Sequence, residues 1–201
     1  AGGEVAALLA EVGVDIRTLT ETEVADADFA GLDVVLLGVR AFNVHPTLPA
    51  ARERLFDWVK QGGRLVVQYN TNNWFDGLDF DLGPGTLKVG KARATDETAR
   101  VRPLVRRHPI WRSPHRLGDE IWSGWVQERG LYFAETWDDG WTELIELADD
   151  GEDPQRGALL VKRHGEGDVV FTALSFFRQL PAGVPGAYRL FINLLAHDRT
   201  N

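Results

Sequence analysis

Two uninterrupted apolar runs, set on either side of one amphipathic segment, limit this chain more than anything else in it. Val34-Val35-Leu36-Leu37-Gly38 and Leu65-Val66-Val67-Gln68 show no alternation. A strand with one wet face alternates, so runs like these belong to a parallel sheet covered on both sides. Between them Leu48, Ala51, Leu55, Trp58 and Val59 recur at helical spacing. This predicts a helix from about Thr47 to Gln61, with Thr47 as N-cap, Pro49 in the first turn and Gly62-Gly63 as its stop. Strand, crossover helix, strand is the repeating unit of a doubly wound α/β fold.

The flanks extend that reading. Glu4 to Glu11 is expected to be a short helix stopped by Gly13, and Val14 to Leu19 a strand. From Thr71 to Arg129 the chain is rich in Gly, Pro, Trp and charge, which predicts a long irregular excursion with only short β pieces such as Arg100 to Val105. Trp111, Trp122, Trp125, Trp137 and Trp141 are expected to staple it to the domain. Regular structure resumes over Trp141 to Ala148. A hairpin follows, Gly157 to His164 and Asp168 to Leu174 around Gly165-Glu166-Gly167, and then a helix from about Pro185 to His197. All 201 residues fit one domain. A doubly wound sheet opens with a central strand, whereas here a helix comes first. The first central strand is therefore expected upstream of residue 1, and the absence of methionine suits a processed or internal start.

Composition excludes several function classes. The net charge of -8 argues against a nucleic-acid partner, because phosphate affinity needs clustered Lys and Arg. No apolar run approaches the roughly 20 residues of a membrane span, and no secretory signal opens the chain. The compartment stays open. There is no cysteine, so neither a disulfide nor a thiolate nucleophile is available. Five histidines, at 45, 108, 115, 164 and 197, lack metal-ligand spacing. Asp149-Asp150-Gly151-Glu152-Asp153 lacks the spaced ligands of a calcium loop and reads as solvated. Ser175 is outside any Gly-x-Ser-x-Gly elbow, and Gly83-Pro84-Gly85 opens no helix that could cradle a phosphate. No cofactor is expected.

Four segments resemble a known module: Gly38-Val39-Arg40-Ala41-Phe42-Asn43, Gln68-Tyr69-Asn70-Thr71-Asn72, Gly124-Trp125-Val126-Gln127-Glu128-Arg129-Gly130 and Ser175-Phe176-Phe177-Arg178-Gln179-Leu180-Pro181-Ala182-Gly183. They are similar to the C-terminal domain of large bacterial PIG-L (LmbE-like) deacetylases. That domain resembles class I glutamine amidotransferases and, within them, the trehalose-utilisation (ThuA-like) proteins. The resemblance implies a flavodoxin-like, mainly parallel sheet. As partner it implies a separate zinc-dependent N-acyl-sugar deacetylase domain upstream in the same parent chain. The deacetylase His-Pro-Asp-Asp signature is absent, since His108-Pro109 is followed by Ile110-Trp111 and His45-Pro46 also fails it. The amidotransferase Cys-His-Glu triad is absent too, with Tyr69 and Asn70 at the nucleophile turn. His108-Pro109-Ile110 and Asp119-Glu120 match the ThuA-like pattern loosely.

In open α/β sheets ligands sit beyond the carboxyl ends of the strands. Arg40 and Asn43, then Tyr69, Asn70, Asn72 and Asn73, then Ser175, Arg178 and Gln179 should meet there, with Phe42, Trp74 and Phe177 nearby. Amides, a guanidinium and aromatic rings suit a sugar or a carboxylate; the same side chains serve equally as strand-end caps and braces. Gln127 and Glu128, with Glu120 in reach, form a second candidate, either for orienting a ligand or as an ion pair that locks the excursion. Two functions follow. One is a non-catalytic accessory module of an N-acyl-sugar deacetylase, recognising carbohydrate or stabilising the parent. The other is a cysteine-independent hydrolase or transferase using Arg40, Tyr69, Asn70, Glu120 and Arg178.

Overall fold

The computed structural model describes residues 2–26, 29, 31–72 and 77–198. Helix α1 (Gly2–Glu11) buries Val5 and Leu9, four residues apart and so on one face. Gly13, at φ 87, ends it. The strand expected over 14–19 is not formed, and residues 14–20 carry no regular structure. Val14, Ile16 and Leu19 still pack against the core, but among the described residues no backbone ladder joins them to a neighbour. Without a partner an apolar alternation is no strand. A reciprocal cap opens α2 (Glu21–Asp26): Glu23 N–H donates to Thr20 Oγ1, and Glu23 Oε2 accepts from Thr20 N–H.

β1 (Val34–Leu37) leads through the single turn α3 (Ala41–Val44) to α4 (Leu48–Lys60), which buries Leu48, Ala51, Leu55, Phe56 and Val59. Thr47 occupies the cap position but makes no capping bond, and its Oγ1 has no partner. Gly63 follows because any Cβ there would lie 2.4 Å from the Trp58 ring. β2 (Arg64–Gln68) is buried at every residue. The excursion over 71–129 carries only short β pieces, as expected: β3 (Leu87–Val89), β4 (Arg93–Ala94) and β5 (Val101–Pro103), the last inside 100–105; after it come β6 (Gly130–Leu131) and β7 (Ala134–Trp137), and, where regular structure is expected to resume, β8 (Thr142–Glu143) and β9 (Ile145–Leu147). Three antiparallel ladders, β3 with β7, β4 with β6 and β5 with β9, organise it. Two 3-10 turns, Pro109–Trp111 and Asp119–Trp122, lie between. Trp111, Trp122, Trp125 and Trp141 are buried, as stapling requires, and Trp137 is half-buried.

β10 (Leu159–His164) and β11 (Gly167–Thr172) form the expected hairpin, with Gly165 and Glu166 between the paired His164 and Gly167. α5 (Phe176–Gln179) and α6 (Pro185–Ala196) close the described chain. The central sheet runs β1-β2-β11-β10-β8, with β1, β2 and β11 parallel and β10 and β8 antiparallel. This is a mixed α/β fold on a mainly parallel sheet. Among the described residues no helix is long and apolar enough to cross a membrane.

A buried polar cluster ties the N-terminal ends of the parallel strands together. Arg64 donates through Nε and Nη2 to both carboxylate oxygens of Asp168, at 2.7 and 2.8 Å, and through Nη1 to the carbonyl of Leu195 on α6 at 3.0 Å. His197 Nε2 lies 3.6 Å from Asp168, and its ring lies 5.6 Å from that of His108. Burial, with Arg64 adding to it, pushes the His197 imidazole down to about 4; burial also lowers His108. Both are neutral at neutral pH.

Candidate functional site

Beyond the carboxyl ends of β1, β2 and β11 three loops meet, as the switch-point rule requires. The loop after β1 turns at Arg40, which sits in the left-handed region at φ 59 and donates its N–H to the Tyr69 carbonyl at 2.8 Å. Asn43 pairs with the backbone of Thr71, accepting from its N–H at 2.9 Å and donating to its carbonyl at 3.0 Å. Asn70, fully buried, accepts from Phe42 N–H at 2.9 Å and donates to Gln68 O at 3.0 Å. Asn72 donates to the carbonyl of Val89. These three amides lace loops together, and Asn73 and Trp74 lie outside the described residues.

The loop after β11 engages the excursion in the same way. Gln179, buried, accepts from Val126 N–H at 2.8 Å and donates to Val126 O at 2.9 Å, which clamps the turn 126–129 against α5. Glu128 is 9% exposed and accepts from Arg178 Nε at 2.5 Å and from Ser175 Oγ at 3.3 Å. Arg129 takes no part in that pair. Its guanidinium donates to Ala99 O and Trp122 O and lies 5.5 Å from the Trp125 ring centre, and burial lowers it to about 10, still protonated at neutral pH. Glu120 is not in this group: its carboxylate accepts from Gly118 N–H and lies 3.5 Å from Arg189 of α6. Phe42 turns into the core against Phe80.

Between the loops lies an aromatic tier. Tyr69 stacks on Tyr132 at 5.9 Å with the planes 5° apart, and Phe177 closes the other side at 5.3 Å. Tyr69 is 8% exposed, while Tyr132 and Phe177 are half-buried. Neither phenol makes a hydrogen bond among the described residues, and burial, partly offset by Arg40, raises Tyr69 above the usual phenol range. Arg178 lies over the Phe177 ring at 4.9 Å. Tyr132 belongs to no strand-end motif in the sequence; it stands between β6 and β7 in a left-handed turn at φ 55.

Only three described residues other than glycine have positive φ: Arg40, Gln127 and Tyr132. Arg40 and Tyr132 belong to the loops at this crevice, and Gln127 lies on the turn that Gln179 clamps against α5. Such conformations cost on the order of 1 to 3 kcal/mol each and persist where the surrounding structure fixes them, often beside a ligand. The chemistry on offer is stacking and hydrogen bonding. Ser175 is fully buried with its hydroxyl on Glu128, which is itself tied to Arg178. Among the described residues no three His, Asp or Glu side chains are placed to hold a metal. The acidic run at 149–153 is laced to the excursion: Asp149 accepts from the N–H groups of Thr95 and Asp96, and Glu152 pairs with Arg93.

No family model matches the chain, and no characterised protein matches it by sequence. Solved structures share the fold. A cytoplasmic protein from Salmonella typhimurium aligns at TM-score 0.54 with 17% identity over 96% of this chain and 85% of its own. A second cytoplasmic protein from Salmonella typhimurium aligns at 0.54 with 13% identity and the same coverage. The β-galactosidase of Rahnella sp. R3 aligns at 0.54 with 18% identity over 93% of this chain, which corresponds to 26% of that longer enzyme.

Proposed function

We propose that this chain is a non-catalytic, carbohydrate-recognising accessory module of a PIG-L-type (LmbE-like) N-acyl-sugar deacetylase, with a flavodoxin-like sheet of the class I glutamine amidotransferase type. The observation that carries the binding part is the tier of Tyr69, Tyr132 and Phe177 at the carboxyl ends of the parallel strands. Sugars present apolar C–H faces and a rim of hydroxyls; aromatic rings take the first, and the two phenols take the second. The association part rests on the four resembling segments, each of which supplies a residue to this end of the sheet. The β-galactosidase alignment adds that the fold occurs as a quarter of a longer sugar-acting chain. The alternative, cysteine-independent hydrolysis, is disfavoured because burial moves the Tyr69 phenol away from ionisation and Glu128 is already paired.

The test is a titration of the purified chain with N-acetylglucosamine, its short oligomers and galactosides, followed by aromatic resonances. Saturable shifts in the rings of Tyr69, Tyr132 and Phe177 are expected. A panel of sugars that moves none of them overturns the reading.

A further inference from the structure

Beside the crevice the molecule holds a second feature, a cavity of about 1710 Å³ whose inner wall is the free edge of β1. Its outer wall is the segment 14–19, with Val14 and Ile16 half-buried and Asp15 and Arg17 exposed, the alternation of an outer strand. The helical layers that cover the sheet also cover this space, since Leu9 of α1, Leu55 of α4 and Leu195 of α6 line it. Lengthwise it runs from Arg64 and His197 at one end of the strands to Tyr69 and Phe177 at the other. Those are the walls of a sheet position. A strand of five residues needs a slab roughly 17 Å long, 4.8 Å wide and 10 Å deep, about 800 Å³, which this space accommodates.

The polar groups along it point the same way. Among the described residues, β1 has no strand on its outer side and residues 15–19 make no backbone hydrogen bond, so two facing rows of N–H and C=O groups lack partners. Gln68, 1% exposed at the top of the cavity, has an Oε1 with no hydrogen-bond partner. β1 itself reads Val-Val-Leu-Leu, without the charge, proline or bulge that protects a true edge strand. A true edge would carry one of them.

The geometry points to an inserted strand. We infer that a segment of about five apolar, β-branched-rich residues occupies this slot, parallel to β1 and pairing with it on one side and with residues 14–19 on the other. Its source is the polypeptide that enters α1. In parallel sheets a strand feeds the helix that packs back over it, and α1, which walls the slot and leads directly into 14–19, is the crossover of such a unit. The inserted strand ends beside Tyr69 and Phe177, so its last residue reaches the crevice; this inference stands on the slot and is independent of the carbohydrate reading.

Hydrogen exchange on the 201-residue chain and on one extended by the residues encoded directly before it tests this. In the extended chain the amides of 15–19 and the outward amides of β1 should exchange on the order of 100-fold more slowly. Equal exchange in both overturns the inference. Protection in the shorter chain that grows with concentration shows a second copy in the slot and overturns the assigned source. A second measurement covers the case where the shorter chain fails to fold. Because the chain has no cysteine, Leu36→Cys can be paired with single cysteines placed along the preceding residues of the extended chain. Oxidation should give an intramolecular disulfide at one register only, and no crosslink at any position overturns the inference.

Discussion

At the N-terminal end of the parallel strands Arg64 and Asp168, each 4% exposed, satisfy one another and the end of α6; at the other end, among the described residues, two phenols have no hydrogen-bond partner and three residues hold left-handed backbone. Both ends are polar and both join the same strands. The difference is whether the donors and acceptors are consumed inside the protein. A cluster whose every group is satisfied can only brace, and its loss registers as stability. A cluster with outward donors and strained backbone costs stability to maintain, and its loss registers as binding.

The largest effect should come from breaking the sealed end. Asp168→Ala leaves the Arg64 guanidinium buried without its carboxylate and should cost about 3 to 5 kcal/mol, read as a fall in urea midpoint with sugar binding retained in whatever fraction stays folded. The pH response comes next. His197 titrates at about 4 in the folded chain and near 6.5 when unfolded, so below 6.5 the unfolded chain takes up the proton first. Stability should therefore be complete above about pH 6.5, fall as pH drops toward 4 by about 3 kcal/mol, and level off below; His108 adds in the same direction. Urea midpoints at several pH values check this, and His197→Asn should flatten the slope.

At the open end the effects should be smaller. Arg178→Ala strands Glu128, but the Arg178 side chain is 34% exposed and water can replace part of the bond. A loss of about 1 to 3 kcal/mol is expected, with sugar affinity reduced as well because the cation over Phe177 is gone. A loss as large as that of Asp168→Ala would erase the contrast between the two ends. Tyr69→Phe removes a hydroxyl that has no hydrogen-bond partner among the described residues. Its melting should stay within about 0.5 kcal/mol of the parent, while sugar affinity falls.

Much of this contrast was visible in the sequence, and its limits have physical causes. β1, β2, α4, α6 and the β10–β11 hairpin announce themselves through continuous apolar runs, helical spacing and a Gly-x-Gly turn. Arg40, Tyr69, Asn70 and Arg178 followed from them as strand-end residues. The excursion shows in the sequence as an irregular stretch with short β pieces, but its pairing does not, because its ladders are two or three pairs long with distant partners, such as Leu87 with Trp137. Tyr132 was missed for the same reason: nothing local marks a residue whose importance is a ring 63 positions away. Thr20-Glu21-Thr22-Glu23 did carry a capping-box signal that predicts α2. Residues 14–19 show the converse: their apolar alternation predicts a strand, and without a paired neighbour none forms. The roles of Asn43, Asn70 and Gln179 stayed ambiguous because an amide that braces and an amide that binds have the same sequence.

Tyr132 offers the most direct test of the central claim, that the carboxyl end of the sheet is held strained for a ligand. Replacing Tyr132 by Gly removes the ring that stacks on Tyr69 and at the same time relieves a left-handed backbone. Calorimetric melting and a sugar titration of Tyr132→Gly beside the parent measure both consequences. Melting within about 1 kcal/mol of the parent, with sugar binding lost, is the expected result. A drop of several kcal/mol together with sugar binding unchanged would show Tyr132 to be a structural brace and contradict the claim.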